Sequence, residues 1–199
     1  VGALTFPKHN FTIQESNEIS SDEMSSDALL MRLLETLILI KRPMRVLEIG
    51  TFVGLSAMHM ARVMPARGQV TTIEKYGHFA EIARHNFAQN GFQDKIRLIE
   101  GDALEQLNKL DSAERFDMAF LDGNKERYAE YLMILDRLLV PRGLLVVDDV
   151  FFQGDTFNET PKTDKGAGVK KLLDLAKSMN SYSKTILPIG NGVMLMVRL

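Results

Sequence analysis

With 199 residues, 45% apolar and 25% charged, the chain has the balance of a soluble globular protein and enough length for one buried core. A formal net charge of −2 gives no overall pull toward nucleic acid, and the lack of cysteine excludes disulfides, thiol nucleophiles and cysteine-bound metals. No apolar run is long enough to cross a bilayer and VGALTFPKHN has no signal-peptide core, so a cytoplasmic single domain over residues 1–199 is expected.

Residues 1–22 are polar and weakly patterned. From Ser25 to Ile40 the leucines fall at helical spacing, and Pro43 stands beyond the end. RVLEIG (45–50) is a short apolar strand stopping on glycine, followed by a helix over Leu55 to Met64. QVTTIE (69–74) is a second strand, and the helix from Gly77 to Asn90 is stopped by Gly91. KIRLIEGD (95–102) and FDMAFLD (116–122) are the third and fourth strands, each followed by a helix, around Leu104–Leu110 and over Glu126–Leu139. After Pro141-Arg142-Gly143 comes LLVVDD (144–149), then a looser stretch, 151–165, and a helix at about 166–179. KTILPI and VMLMVRL close the chain as a hairpin around Gly190-Asn191-Gly192. Apolar strands alternating with helices predict an α/β fold of Rossmann-like type: a seven-stranded, mostly parallel sheet with an antiparallel last strand and helices on both faces.

Ligands in such sheets bind at the carboxyl ends of the strands. Each of the first five strands ends in acid: Glu48 with Gly50, Glu74, Asp102, Asp122, and Asp148 with Asp149. A single acid there most often caps the next helix, a role worth about 1 kcal/mol. Five on one rim repel one another unless positive charge lies among them. The loop EIGTFVGLS offers Gly50 and Gly54 but lacks the third glycine of a dinucleotide fingerprint, which disfavours a nicotinamide-dependent oxidoreductase. Glu74 falls 24 positions after Gly50, where nucleotide-binding folds place an acid for ribose hydroxyls. Lys125 stands three residues after Asp122; alone it would read as a solvated lysine.

In this order, VLEIGTFVGLSAMHMAR, VTTIE, EGDALEQL, FLDGNKERY, VVDDVFFQG and LPIGNGVML resemble the metal-dependent O-methyltransferases, the family of catechol and caffeoyl-CoA O-methyltransferases and their bacterial relatives. The likeness runs from about residue 45 to the C-terminus, with a weaker echo in 23–40. The first motif is common to many methyltransferases, whereas LDxxK together with a paired acid at the next strand end is far more specific. The resemblance implies the class I methyltransferase fold and S-adenosylmethionine as methyl donor. It also implies Mg²⁺, or another divalent cation such as Mn²⁺ or Ca²⁺, bound by Asp122, Asp148 and Asp149, with Lys125 as the base. By the same correspondence Glu48, Gly50, Thr51 and Ser56 meet the methionine part of the donor, Glu74 holds the ribose, Asp102 and Ala103 line the adenine site, and Asp122 serves metal and donor alike. The family usually has Asp-Asn where this chain has Asp148-Asp149, which alters the charge of the metal site.

The implied acceptor is a small hydroxylated molecule, aromatic or bearing vicinal hydroxyls. Some bacterial relatives methylate a modified uridine in tRNA, and Lys162, Lys165, Lys170 and Lys171 form a basic cluster that would suit phosphate or be a solvated face. Phe151, Phe152 and Phe157 would wall a planar acceptor or pack in the core. His9, His59, His78 and His85 form no ligand pattern. A homodimer is a further expectation, and a non-catalytic cofactor-binding module is the remaining alternative.

Overall fold

The computed structural model describes residues 10–15, 28–111 and 113–199. The predicted first helix starts outside them; its described part is α1, Ala28–Lys41. The order is then β1 Arg45–Ile49, α2 Leu55–Val63, β2 Gln69–Glu74, α3 Gly77–Gln89, β3 Ile96–Glu100, α4 Ala103–Lys109 and β4 Phe116–Leu121. A 3₁₀ turn, Lys125–Arg127, precedes α5 Tyr128–Leu138 and β5 Leu139–Val147. A 3₁₀ stretch, Phe152–Phe157, leads to α6 Asp164–Ser178 and the hairpin β6 Tyr182–Leu187 and β7 Val193–Arg198.

The strands form one seven-stranded sheet in the order β3-β2-β1-β4-β5-β7-β6. The first five strands are parallel, and β7 runs antiparallel to both β5 and β6. Side chains alternate between the two faces, so each strand feeds two cores. Leu47, Ile49, Ala119, Leu121, Leu145 and Val147 join the layer under α4, α5 and α6. Val46, Met118, Phe120, Leu144 and Val146 join the layer under α1, α2 and α3. Along the central strands β1, β2, β4 and the second half of β5 both faces are dry, which is why these strands read as apolar runs, whereas the edge strands β3 and β6 are partly exposed.

Several boundaries move by one or two residues from the sequence reading, among them those of β3, α6 and β6, and three stretches differ in kind. The helix predicted from Glu126 begins as a 3₁₀ turn, and Arg127, at φ −104° and ψ 9°, breaks it from α5. The fifth strand begins at Leu139 instead of Leu144, because Leu139 turns to extended backbone and pairs with Phe116. Between the Phe116–Leu139 and Met118–Leu144 pairs the chain takes five steps on β5 against two on β4. That irregularity holds Pro141, which has no N–H for a ladder, and Arg142, at φ 62°. The stretch read as loose contains the 3₁₀ segment Phe152–Phe157, with Gln153 and Gly154 at positive φ.

His59 proves to be buried, as a packing residue would be, but with a polar partner. Glu35 of α1, itself buried, accepts from His59 Nδ1 at 2.7 Å and from Arg32 Nη1 at 2.8 Å, and also meets Arg62. Burial raises the Glu35 carboxyl, but the bonds from His59 and Arg32 and the charge of Arg62 outweigh it and hold it below its usual value. This network ties α1 to α2. Glu35→Gln is expected to destabilise the fold by about 1–3 kcal/mol in urea unfolding, since buried donors lose a charged acceptor; an unchanged midpoint would mean the network contributes nothing net.

Candidate active site

Strand order reverses between β1 and β4: the chain steps outward from β1 through β2 to β3, then crosses back to β4. The carboxyl ends of these two strands flank the crevice where such sheets take ligands. Gly50 ends β1 at φ +99°, and a Cβ built there would lie 2.3 Å from the Asp122 carbonyl oxygen. No side chain fits, so the two strand ends approach backbone to backbone. Asp122 N–H in turn donates to the Ile49 carbonyl at 2.9 Å.

Beyond Gly50 the acids divide into two groups. On the β1–β2 side, Glu48 is fully buried and accepts from Ser56 Oγ and Thr72 Oγ1, each at 2.5 Å. Thr72 also meets Thr51 Oγ1 at 2.5 Å, so Thr51, Thr72, Glu48 and Ser56 form one chain of hydrogen bonds. Glu74, buried as well, accepts the N–H groups of Thr51 at 3.2 Å, Phe52 at 2.8 Å and Tyr76 at 2.9 Å. Its carboxylate therefore fixes the glycine-flanked loop after β1, in which Phe52 adopts φ 50°. An ionised carboxylate has about four acceptor positions, so one remains for a ligand hydroxyl. Asp102 caps α4, accepting from Leu104 N at 3.0 Å, with Ala103 buried behind it. Of the five predicted strand-end sites, this one realises the helix-cap role through its side chain.

The β4–β5 side carries the other group. One oxygen from each of Asp122, Asp148 and Asp149 lies within 4.8 Å of the others, the sole such His/Cys/Asp/Glu cluster among the described residues. Lys125 reaches into it, its Nζ 2.6 Å from Asp122 Oδ1 and 2.9 Å from Asp149 Oδ2, with its side chain 15% exposed. The ring of the fully buried Tyr128 lies beneath, its centroid 5.7 Å from Nζ. Asp149 stands at φ 60°, a conformation aspartate tolerates better than most residues, and its N–H donates to Asp148 Oδ1 at 2.8 Å. Burial, then the charges of Asp122 and Asp149, push the Asp148 carboxyl upward. Burial also opposes charge on Lys125, but Tyr128, Asp122 and Asp149 outweigh it and hold the amine above the usual lysine value. In this form Lys125 keeps its proton and is the positive charge among the acids.

A model of the O-methyltransferase family matches residues 9–199. The chain belongs to the O-methyltransferase family. It is 31% identical over 144 residues to the catechol O-methyltransferase of Niastella koreensis, covering 71% of this chain and 65% of the relative. It is 35% identical over 128 residues to the catechol O-methyltransferase of Mycobacterium tuberculosis, covering 64% and 58%. The match thus spans less than two thirds of the length of either relative. The crystal structure of the O-methyltransferase TomG from Streptomyces achromogenes, in complex with SAM, superposes with a TM-score of 0.84 at 30% identity, covering 88% of this chain and 82% of that one.

Against this family background the motif residues of the sequence reading fall on one rim, on either side of Gly50. The sequence reading missed Thr72 and Tyr128. Thr72 is one of two adjacent threonines in the strand, and its place two residues before Glu74, on the same side of the strand, was the available signal. Tyr128 follows Lys125 by three residues, on the same face of the turn. Of the predicted aromatic wall, Phe157 is 71% exposed with its ring centroid 5.2 Å from that of Phe151, while Phe151 and Phe152 pack against the core. In the basic cluster, Lys170 donates to the Asn158 carbonyl at 2.6 Å and is structural in part. No helix among the described residues is long and apolar enough to cross a membrane.

Burial, aided by Asp122 and Glu74 and opposed by the bonds from Ser56 and Thr72, lifts the Glu48 carboxyl to about 8. The folded protein then holds a proton that the unfolded chain releases near 4.5. Stability therefore falls as pH rises from 4.5 to 8, by an amount on the order of 5 kcal/mol. Glu48→Gln keeps the shape without the titration. Its melting temperature is expected to fall less steeply than wild type between pH 5 and 8; parallel profiles would show that Glu48 ionises normally.

Proposed function

We propose that the chain transfers the methyl group of S-adenosylmethionine to one hydroxyl of a small catechol-like or vicinally hydroxylated acceptor, with a divalent cation at Asp122, Asp148 and Asp149. The observation that carries this reading is the Lys125 ammonium held among three carboxylates at adjacent strand ends, in a chain of the O-methyltransferase family. The donor set fits a hard cation, Mg²⁺ first and Mn²⁺ or Ca²⁺ as alternatives: it is all oxygen, compact and strongly acidic. Once bound, the cation would neutralise the carboxylates, orient the acceptor hydroxyl and make it more acidic.

The donor would lie across the Gly50 crevice. Glu48, Thr51 and Ser56 face its methionine part, the remaining acceptor position of Glu74 takes a ribose hydroxyl, and Asp102 and Ala103 border the adenine. Asp122 stands at the boundary between donor and acceptor. With the carboxylate charge neutralised, the hold of Asp122 and Asp149 on the Lys125 proton would weaken while burial, which favours the neutral amine, remains against Tyr128, so that the proton can pass to solvent. Lys125 Nζ then takes the acceptor's hydroxyl proton as the oxygen attacks the sulfonium methyl. The carbon–sulfur bond breaks, a carbon–oxygen bond forms, and S-adenosylhomocysteine leaves. The chain's remaining task is to hold oxygen and methyl in line, which supplies much of the acceleration in reactions of two bound partners. The exposed Phe157 offers a planar face at the loop that follows Asp149.

Chelation is expected to abolish methylation of a catechol, and Mg²⁺ or Mn²⁺ to restore it. S-adenosylhomocysteine and Mg²⁺ together should raise the melting temperature more than either does alone, each contributing about 2.7 kcal/mol at about 100 times its dissociation constant. Full turnover in a sample verified free of metal would refute the cation's role. Mass spectrometry of methyl transfer to a catechol panel beside undermodified tRNA separates the small-molecule reading from the nucleic-acid one.

Lys125→Met keeps a long unbranched side chain without the amine. It is expected to lower kcat by about 10²–10⁴-fold at neutral pH, with partial recovery at higher pH, where the acceptor ionises unaided. S-adenosylhomocysteine affinity should hardly change. A near-normal kcat, under conditions where methyl transfer limits the rate, would return Lys125 to the status of a structural ion-pair residue.

A further inference from the structure

The turn that carries Lys125 is held from outside by the first turns of α6. A Cβ built on Gly168 would lie 2.4 Å from the Lys125 carbonyl oxygen and 2.6 Å from Glu126 Cα. These are backbone atoms, so no side-chain rotation makes room. The same carbonyl accepts the Tyr128 N–H that closes the turn. Gly168 is itself buried and its φ is not left-handed, so its backbone does not demand glycine; the approach does. A glycine inside a 15-residue helix runs against helix propensity, which marks the position as kept for contact.

The start of α6 is anchored in turn. Thr163 Oγ1 accepts from Gly166 N at 3.0 Å. Asp155 accepts from Lys162 N at 2.8 Å, Thr163 N at 3.0 Å and Thr163 Oγ1 at 2.8 Å. A rigid path therefore runs from the loop after Asp149, through the start of α6, to the backbone of the Lys125 turn.

We propose that Gly168 is a positioning residue: its missing side chain lets α6 seat on the backbone of the Lys125 turn and so fixes where the ammonium stands between Asp122 and Asp149. The inference rests on the proton-accepting role given to Lys125 above. A residue that works through Lys125 loses its influence once the amine is gone, whereas one that only packs a helix costs the same with or without it.

The test is a double-mutant cycle of Gly168→Ala and Lys125→Met in the full chain. It reads kcat at saturating catechol and S-adenosylmethionine, S-adenosylhomocysteine affinity by calorimetry, and melting temperature. In the wild-type background Gly168→Ala is expected to lower kcat by about 10- to 100-fold, the scale of a small misplacement of a reacting group, with cofactor affinity unchanged. In the Lys125→Met background it should cause no further loss. An unchanged kcat in Gly168→Ala, or an equal loss in both backgrounds, overturns this inference alone. A wild-type kcat in Lys125→Met overturns the reading beneath it and this inference with it. If Gly168→Ala does not fold, Asp155→Asn takes its place, loosening the same path without adding bulk. Its kcat loss should likewise vanish in the Lys125→Met background, and equal losses would again overturn the proposal.

Discussion

Three carboxylates share one rim only if positive charge is held among them. Two like charges about 4 Å apart repel by about 4 kcal/mol at the effective dielectric near a protein surface. Asp122, Asp148 and Asp149 bring three within 4.8 Å, and Asp148 is buried. Lys125, touching two of them, is the charge that lets the cluster exist in this form. The surrounding structure serves that placement. The fourth strand ends on Asp122, the 3₁₀ turn swings Lys125 back over it, and buried Tyr128 forms the floor. From the other side, the start of α6 abuts the turn.

The parallel sheet supplies the rest without special devices. Reversal of strand order between β1 and β4 opens a crevice there, and the contact of Gly50 with the Asp122 carbonyl sets its width. That contact also divides the acids by their surroundings. Glu48 and Glu74, on the β1–β2 side, are satisfied by hydroxyls and backbone N–H groups, with no cation required. On the β4–β5 side Asp148 accepts the Asp149 N–H, and Asp122 and Asp149 both meet the Lys125 ammonium. Polar ligand parts suited to hydrogen bonds belong on one side, and positive charge on the other.

How much of this could be read from the sequence follows from how local each signal is. The central strands were legible because both their faces are dry, and β2 was placed to the residue. LDGNK and the paired acid were legible because their spacing delivers Lys125 and both strand ends to one place. Boundaries failed where tertiary pairing overrode local pattern. Leu139 reads as the tail of a helix, yet pairs with Phe116 across an irregular ladder. Glu35 and His59 lie on different helices, 24 residues apart, and nothing in either neighbourhood announces their bond. Gly168 was invisible for the same reason: the backbone it accommodates is more than 40 positions away. The family resemblance covered motifs; Glu35, Leu139 and Gly168 lie outside them, and His59, inside the first, has its partner outside.

Asp149 is where this chain departs from its family's usual Asn, and the geometry gives the departure a consequence. An amide there would accept a hydrogen bond from Lys125 but would carry no charge, leaving Asp122 as the lysine's ionic partner. With a carboxylate at 2.9 Å the ammonium is held from two sides, and the proton is correspondingly harder to remove. The same carboxylate adds a third acid to the proposed cation site. Both effects act in one direction: the lysine stays charged while the site lacks a cation, and a cation that arrives meets a stronger field. Under the proposed reading, readiness of the base and occupancy of the metal site are therefore more tightly linked in this chain than an Asp-Asn pair would make them. The left-handed backbone of Asp149, which aspartate and asparagine tolerate alike, explains why the exchange leaves the loop's path intact. What changes is charge, on a frame that either residue can occupy.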